Sequence, residues 1–357
     1  MTTSNASPRF PLWGKVESAL RISWAIVLVA ATACLVVIDC GKSTKPKDVK
    51  YNIYRGVSHR IFIYDADSLV LLDSIVRQQY PEILAASPDG RSLYVVDRAD
   101  RYSYAALSKI DIESKQVVWR RDSLGGHLQF LSHGKELLCG ADVVRPEDGT
   151  VIRHLVGASS GMFGPSTGSL VASTKDSVVA ILDASTGESS GRYKPRLSNG
   201  LALLPQYTRL HPDGRRVLVI GLNGSVHYSW FVIGDVVTGE TLYEYRLALP
   251  YGEAGISDDG SVAVVTDPPE MLGIEQSLSV IDLDHLTLIR RFTDILARES
   301  QVRFLPDNRH AVLSGRADGH SLQPLRILNV VDMTYQTTTL PPMGLRIDGG
   351  LDIGPRP

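Results

Sequence analysis

Six times the chain runs from a short apolar stretch into a tight turn and out into another apolar stretch, and this recurrence constrains the fold more than any other feature. The turns are Ser87-Pro88-Asp89-Gly90, Leu131-Ser132-His133-Gly134, Gly164-Pro165-Ser166-Thr167-Gly168, His211-Pro212-Asp213-Gly214, Ser257-Asp258-Asp259-Gly260 and Leu305-Pro306-Asp307-Asn308. Their last residues stand 44, 34, 46, 46 and 48 positions apart. A period in the forties built on hairpin turns is the pattern of β-propeller blades, small antiparallel sheets that must stack side by side to bury their faces.

The segments between the turns read as strands. Ser92-Leu93-Tyr94-Val95-Val96 and Arg216-Val217-Leu218-Val219-Ile220 are β-branched runs of strand length, and no long stretch of the region shows 3.6-residue apolar spacing. A third strand then ends in an apolar triplet plus aspartate, as in Ile61-Phe62-Ile63-Tyr64-Asp65, Lys109-Ile110-Asp111, Ile181-Leu182-Asp183, Val232-Ile233-Gly234-Asp235, Val280-Ile281-Asp282 and Val330-Val331-Asp332. Twice the following turn reads Asp-x-x-Thr-Gly-Glu, from Asp183 and from Asp235. Aspartate caps a turn by accepting backbone N–H bonds and glycine supplies positive φ, so these aspartates are read as hairpin punctuation. A fourth strand such as Gln116-Val117-Val118-Trp119 closes each unit.

The first unit begins part-way through. Tyr51 to Tyr54, Ile61 to Asp65 and Val70 to Ile75 supply three strands, and Leu351-Asp352-Ile353-Gly354-Pro355 at the other end of the chain offers the fourth. Pairing it with the N-terminal strands would close the ring and remove an exposed edge. The expected fold is therefore all-β: a seven-bladed propeller of four-stranded antiparallel blades over residues 51–357, the third blade built from short strands around Asp148-Gly149.

Ser87-Pro88-Asp89-Gly90-Arg91-Ser92-Leu93-Tyr94-Val95-Val96-Asp97 resembles the repeat of the YVTN-type, WD-repeat-like propellers, with Val96-Asp97 in place of Thr-Asn. Val280-Ile281-Asp282 and the Asp-x-x-Thr-Gly-Glu turns are similar to the second half of that repeat. The resemblance implies fold. It also implies export to the envelope or surface, which is common in proteins of this type, but it assigns no activity.

The N-terminal 40 residues are read as an address. Arg9, Lys15 and Arg21 precede an uncharged run from Ile22 to Ile38, the order of an export signal or of a short membrane anchor. Val37-Ile38-Asp39-Cys40-Gly41 resembles a bacterial lipobox with Cys40 as the lipidated residue, although Asp39 stands where a small residue is usual. A cleaved signal ending at Ala31-Thr32-Ala33 and an uncleaved anchor helix are the alternatives. Residues 41–50, including Lys42-Ser43-Thr44-Lys45-Pro46-Lys47-Asp48, read as a solvated tether. Each alternative places the propeller outside the cytoplasmic membrane, periplasmic or at the surface.

With 37 basic and 39 acidic residues and a net charge of -2, the sequence carries no field for nucleic acid or an anionic membrane, so the membrane is engaged through the N-terminus only. Of Cys34, Cys40 and Cys139 only the last falls in the repeats, so no disulfide is expected within the domain, and Cys139 reads as a buried small hydrophobe.

Propellers work through the face where the loops joining second to third strands, and those joining successive blades, surround the channel. In blades five, six, seven, one and two those loops are read as tall, and in three and four as short, giving a cleft open on one side. The candidate ligand-binding residues at the channel mouth are His59, Arg98, Asp100, Arg101, Tyr102, Tyr104, His227, Tyr228, Asp267, Glu270, Arg316, Asp318 and His320. They are groups that bind polar ligands or peptide by stacking and charge-assisted hydrogen bonds. No catalytic residue is assigned. The nine histidines show no paired metal spacing and no hydrolase motif, so no metal and no cofactor is expected. Of the loop acids, Asp97, Asp267 and Glu270 are the candidates an enzyme would use. The sequence thus points to a tethered module that binds another envelope protein, a peptide or a glycan. The alternative is a propeller enzyme of the lactonase or quinoprotein kind working at the channel mouth.

Overall fold

The computed structural model describes residues 49–98, 105–131, 134–155, 161–164, 169–173, 177–223, 229–247, 253–267, 277–293, 301–314, 324–338 and 350–357. Residues Lys50–Pro357 form one compact unit and Met1–Val49 another. The N-terminal apolar run, Cys40 and the tether up to Asp48 lie outside the described residues. Among the described residues no helix is long and apolar enough to cross a membrane.

All named elements of the larger unit are strands, in seven four-stranded antiparallel sheets. Blade two runs Tyr80–Ala86, Ser92–Arg98, Ala106–Asp111 and Val117–Asp122 from first strand to fourth. Blade five repeats the plan with Leu204–Leu210, Arg216–Leu222, Ser229–Asp235 and Thr241–Leu247. The short-stranded third blade is present as expected, as Leu128–Leu131, Glu136–Cys139, Asp142–Val144 and Val151–His154. Blade one takes its first strand from the C-terminus: Leu351–Pro355 pairs antiparallel with Tyr51–Val57, with Ile353 opposite Ile53. Arg356 fastens this closure. Its amide donates to the Lys50 carbonyl at 2.8 Å, and its guanidinium reaches Asn52 Oδ1 at 3.1 Å and the Asp65 carboxylate.

The core is seven cores. Because strand side chains alternate, each blade gives one set of apolar residues to the blade before it and the other set to the blade after. In blade two, Leu93 and Val95 pack with Tyr54, Ile61 and Ile63 of blade one, while Tyr94 and Val96 pack with Leu137, Cys139 and Val144 of blade three. Five more clusters join blades three to four, four to five, five to six, six to seven, and seven back to one. The seventh cluster sets Val312, Leu325 and Ile327 against Ile53, Phe62 and Leu351, so the ring is continuous. Cys139 is 1% exposed there, and burial pushes its thiol up to about 12, which makes it inert packing.

The turn aspartates cap backbone. Asp183 Oδ1 accepts from the amides of Ser185 at 2.8 Å and Thr186 at 2.9 Å, and Asp235 Oδ1 from those of Val237 at 2.8 Å and Thr238 at 3.1 Å. Blade seven departs from the sequence reading. Asn329, not Asp332, ends its third strand and accepts from the amides of Val331 and Asp332. An amide oxygen performs the same capping as a carboxylate oxygen, so the aspartate pattern is displaced by three residues.

Candidate functional site

First strands of consecutive blades lie side by side around the axis, so the polar residues they carry face a shared channel. Blade five presents Tyr207 and Arg209, blade seven Gln301 and Arg303, and the closing strand Asp352. Glu253 stands immediately before blade six's first strand, Ala254–Ile256, and His127 immediately before that of blade three.

Local backbone bonds hold these residues in place. Glu253 is fixed by Thr266 from both sides: its amide donates to Thr266 Oγ1 at 2.9 Å, and its carbonyl accepts the Thr266 amide at 2.9 Å. The His127 carbonyl accepts the Gly140 amide at 2.9 Å. There Gly126, at φ +118, passes so close to Gly140 that a Cβ would meet its Cα at 2.7 Å, so no larger residue could aim His127 in this way. Arg209 Nε donates to the Tyr207 hydroxyl at 2.7 Å, which in turn donates to the Ala254 carbonyl at 2.5 Å. This chain of bonds places Arg209 beside the residue that follows Glu253.

The charges of these groups act on one another across blades. Burial works against the Arg209 charge, but Tyr207, Glu253 and Asp258 outweigh it and raise the guanidinium above its ordinary value. The His127 imidazole is exposed, with the charges of Arg303, Glu253 and Arg209 acting on it from other blades. Desolvation, with the positive charges of Arg303 and Arg209, holds it below the usual histidine range against the pull of Glu253. Burial pushes Asp352 up to about 6, although it accepts the Ala86 amide at 2.6 Å and feels Arg303 and Arg209. Arg303 Nη1 donates to its neighbour's carbonyl, Val302 O, at 2.8 Å and stands 3.5 Å from Glu253 Oε2. Glu253 Oε2 and Gln301 Oε1 are buried atoms with no hydrogen-bond partner among the described residues.

The sequence-derived candidates fall differently. Asp100, Arg101, Tyr102, Tyr104, His227, Tyr228, Glu270, Arg316, Asp318 and His320 lie outside the described residues, as does the side chain of Asp267, whose backbone ends the second strand of blade six. Arg98 ends the second strand of blade two, its Nε 2.5 Å from Glu82 Oε2 but without hydrogen-bond alignment. His59 is exposed in a turn and stacks on Tyr80 with ring centroids 4.3 Å apart. Blade one does not raise the tall loop expected of it. Arg55 and Gly56 are buried within a strand that runs to Val57, and only Ser58 and His59 separate it from the next, which begins at Arg60. Asp97 is likewise no loop acid. It is wholly buried in a strand, contacts the Arg77 guanidinium and accepts Ser108 Oγ at 3.3 Å. Among the described residues no three metal-ligating side chains come together.

The residues that the sequence reading missed are the channel set, His127, Arg209, Glu253, Gln301, Arg303 and Asp352. The signal available was polarity at alternate positions in a segment otherwise apolar, as in Gln301-Val302-Arg303-Phe304.

No protein family matches the sequence, and no curated protein matches it. In structure the chain is similar to the hydrazine synthase of Kuenenia stuttgartiensis, at 15% identity and TM-score 0.53 over 79% of this chain and 90% of that one. It is similar at 16% identity and TM-score 0.51 to the dihydro-heme d1 dehydrogenase NirN in complex with DHE, covering 80% of this chain and 64% of that chain. The β-propeller domain of Cps50 (Swd1) from Myceliophteria thermophila is similar at 13% identity and TM-score 0.54, covering 73% of this chain and 89% of that chain. At these identities the likeness is one of fold: the chain is an all-β, seven-bladed β-propeller.

Proposed function

We propose that this chain is a cell-envelope-tethered binding propeller, which recruits a protein, peptide or glycan through one face of the disc and the mouth of its channel. The observation that supports this reading most is the set of mutually interacting charges contributed to the channel from five places around the ring: His127, Arg209, Glu253, Arg303 and Asp352. Polar groups gathered in a concave site are what recognition uses. Export and attachment rest on the N-terminal pattern, with Cys40 as the attachment point.

Two measurements test the two parts. Full-length protein immobilised in detergent is incubated with envelope extract, alongside an Arg209→Ala/Arg303→Ala variant of unchanged melting temperature. Proteins retained by the wild type and lost by the variant support the reading; identical capture by both sinks it. The intact mass of protein taken from membranes tests the anchor. Loss of residues 1–39 with a lipid on Cys40 is expected, and an unmodified full-length mass would favour an uncleaved helix.

One observation favours the enzyme reading. Asp352 is raised and His127 lowered within one channel, and groups pushed toward neutrality in a cleft are candidates for acid–base work. Two of the structurally similar proteins are also named as enzymes. Turnover of any member of a lactone panel, abolished by Asp352→Asn without loss of fold, would put this reading first.

A further inference from the structure

We propose that the channel seats a zwitterionic ligand of the amino-acid type, or a short peptide with both ends free, its ammonium group held by Glu253 and Gln301 and its carboxylate by Arg209. The inference rests on the binding reading above and names the chemistry of that site.

Glu253 Oε2 and Gln301 Oε1 are both acceptors, both buried, and both without a hydrogen bond among the described residues. Folded proteins leave few such atoms, because each has given up its water without gaining a donor. Arg303 stands beside Glu253, but its Nη1 donates to the Val302 carbonyl and its contact with Glu253 is a loose 3.5 Å. The Glu253 backbone is held by Thr266 at two points, which sets where its side chain leaves the main chain. Two buried acceptors, one of them charged, on neighbouring blades suit a group with several N–H donors and a positive charge. A primary ammonium fits both requirements.

The opposite end follows from Arg209. One of its nitrogens is committed to Tyr207, and that hydroxyl to the carbonyl of Ala254, the residue after Glu253. The rest of the guanidinium finds no hydrogen-bond acceptor among the described residues, and a planar fork of N–H groups matches a carboxylate. Tyr207 links Arg209 to the residue after Glu253, and the two charges act on one another, so a ligand bridging them is short. His127 lies within the field of both ends, attracted by Glu253 and opposed by Arg209 and Arg303.

The test titrates full-length protein in detergent with the dipeptide Ala-Ala, its N-acetyl form and its C-terminal amide, by calorimetry. The free dipeptide is expected to bind, and each blocked form to bind at least about tenfold more weakly, since each block removes a charge-assisted contact. Glu253→Gln should weaken Ala-Ala by a similar factor with unchanged melting and have little further effect on the N-acetyl form. Arg209→Gln should do the same for the amide. Equal affinity for the three peptides, or no binding by any of them, overturns the proposal. So does a fall in the melting temperature of Glu253→Gln together with unaltered peptide binding, which would make Glu253 part of the scaffold only. Envelope-protein capture by the wild type is measured on the same sample. Capture without peptide binding removes the zwitterion seat and leaves the binding reading standing, whereas absence of both removes both.

Discussion

The carboxylates of the turns and those of the inner blades are the same chemical group under opposite electrostatics. Asp183 is held below the ordinary carboxylate range by the Ser185 hydroxyl and by the Thr186 and Ser185 amides. At Asp235 burial acts in the other direction, but the Thr238 and Val237 amides and the Arg215 guanidinium win. Asp97 and Asp352 are both raised, with burial the largest cause in each, even though Arg77 faces the first and the Ala86 amide the second. The difference lies in what each side chain is for. A turn carboxylate satisfies N–H groups that any hairpin leaves open, and the chain repeats it wherever a third strand ends. An inner carboxylate caps no hairpin turn, and its burial costs free energy that its partners only partly return.

The comparison breaks most visibly at Asp97. Asp97→Ala leaves the Arg77 guanidinium, 8% exposed, without its carboxylate, and removal of one partner from a buried pair costs about 3–5 kcal/mol. Chemical denaturation should show a loss of that order. A loss near 1 kcal/mol would place Asp97 with the turn acids instead.

The same contrast explains what was legible in the sequence. Turn acids, the short third blade and the closing strand at Leu351–Pro355 could all be read because each repeats a pattern at a known distance from its neighbours. Where an equivalent atom substitutes, the pattern slips by a few residues: Asn329 does the work assigned to Asp332. Loop height was harder to read, since the residues of a buried strand end and of a loop look alike when polar. Arg55 and Gly56 follow the expected strand end at Tyr54 and are polar or small enough to pass for loop, yet both are strand interior. The channel set carries no repeating signal, because its members come from five different blades at different distances from their turns, and only Gln301 and Arg303 share a strand. Its charges become a set only when ring closure brings the first strands together around one axis.

Asp352 gives the second prediction, in which mutation is expected to stabilise. Its folded pKa of about 6 lies above the ordinary value of 3.8. The stability tied to its protonated form is present below about pH 4 and is lost as pH rises through about 6. At pH 7.5 the ionised side chain therefore costs on the order of 2–3 kcal/mol. Asp352→Asn keeps an oxygen to accept the Ala86 amide and removes the charge, so it should melt higher than the wild type at pH 7.5. The two proteins should converge near pH 4. A variant that is less stable at pH 7.5 would mean that Arg209 and Arg303 hold the carboxylate more tightly than burial opposes it.

The turn acids give the smallest effect and the sharpest contrast in sign. Asp183→Ala removes the bonds to the Ser185 and Thr186 amides in an exposed turn where water replaces part of what is lost, so a destabilisation of about 1 kcal/mol is expected. Asp235→Ala should act in the same direction and also release Arg215, whose Nε sits 2.6 Å from the carboxylate. Both wild-type carboxylates have depressed pKa values, so their contribution is present above about pH 4 and disappears as pH falls below it, the reverse of Asp352. Each variant should therefore lose stability relative to the wild type at pH 7 and match it in acid. Neither should change partner capture or dipeptide affinity, because a turn acid is spent on its own backbone. If Asp183→Ala abolished binding while leaving the melting curve in place, the division between scaffold acids and channel acids would fail at its simplest member.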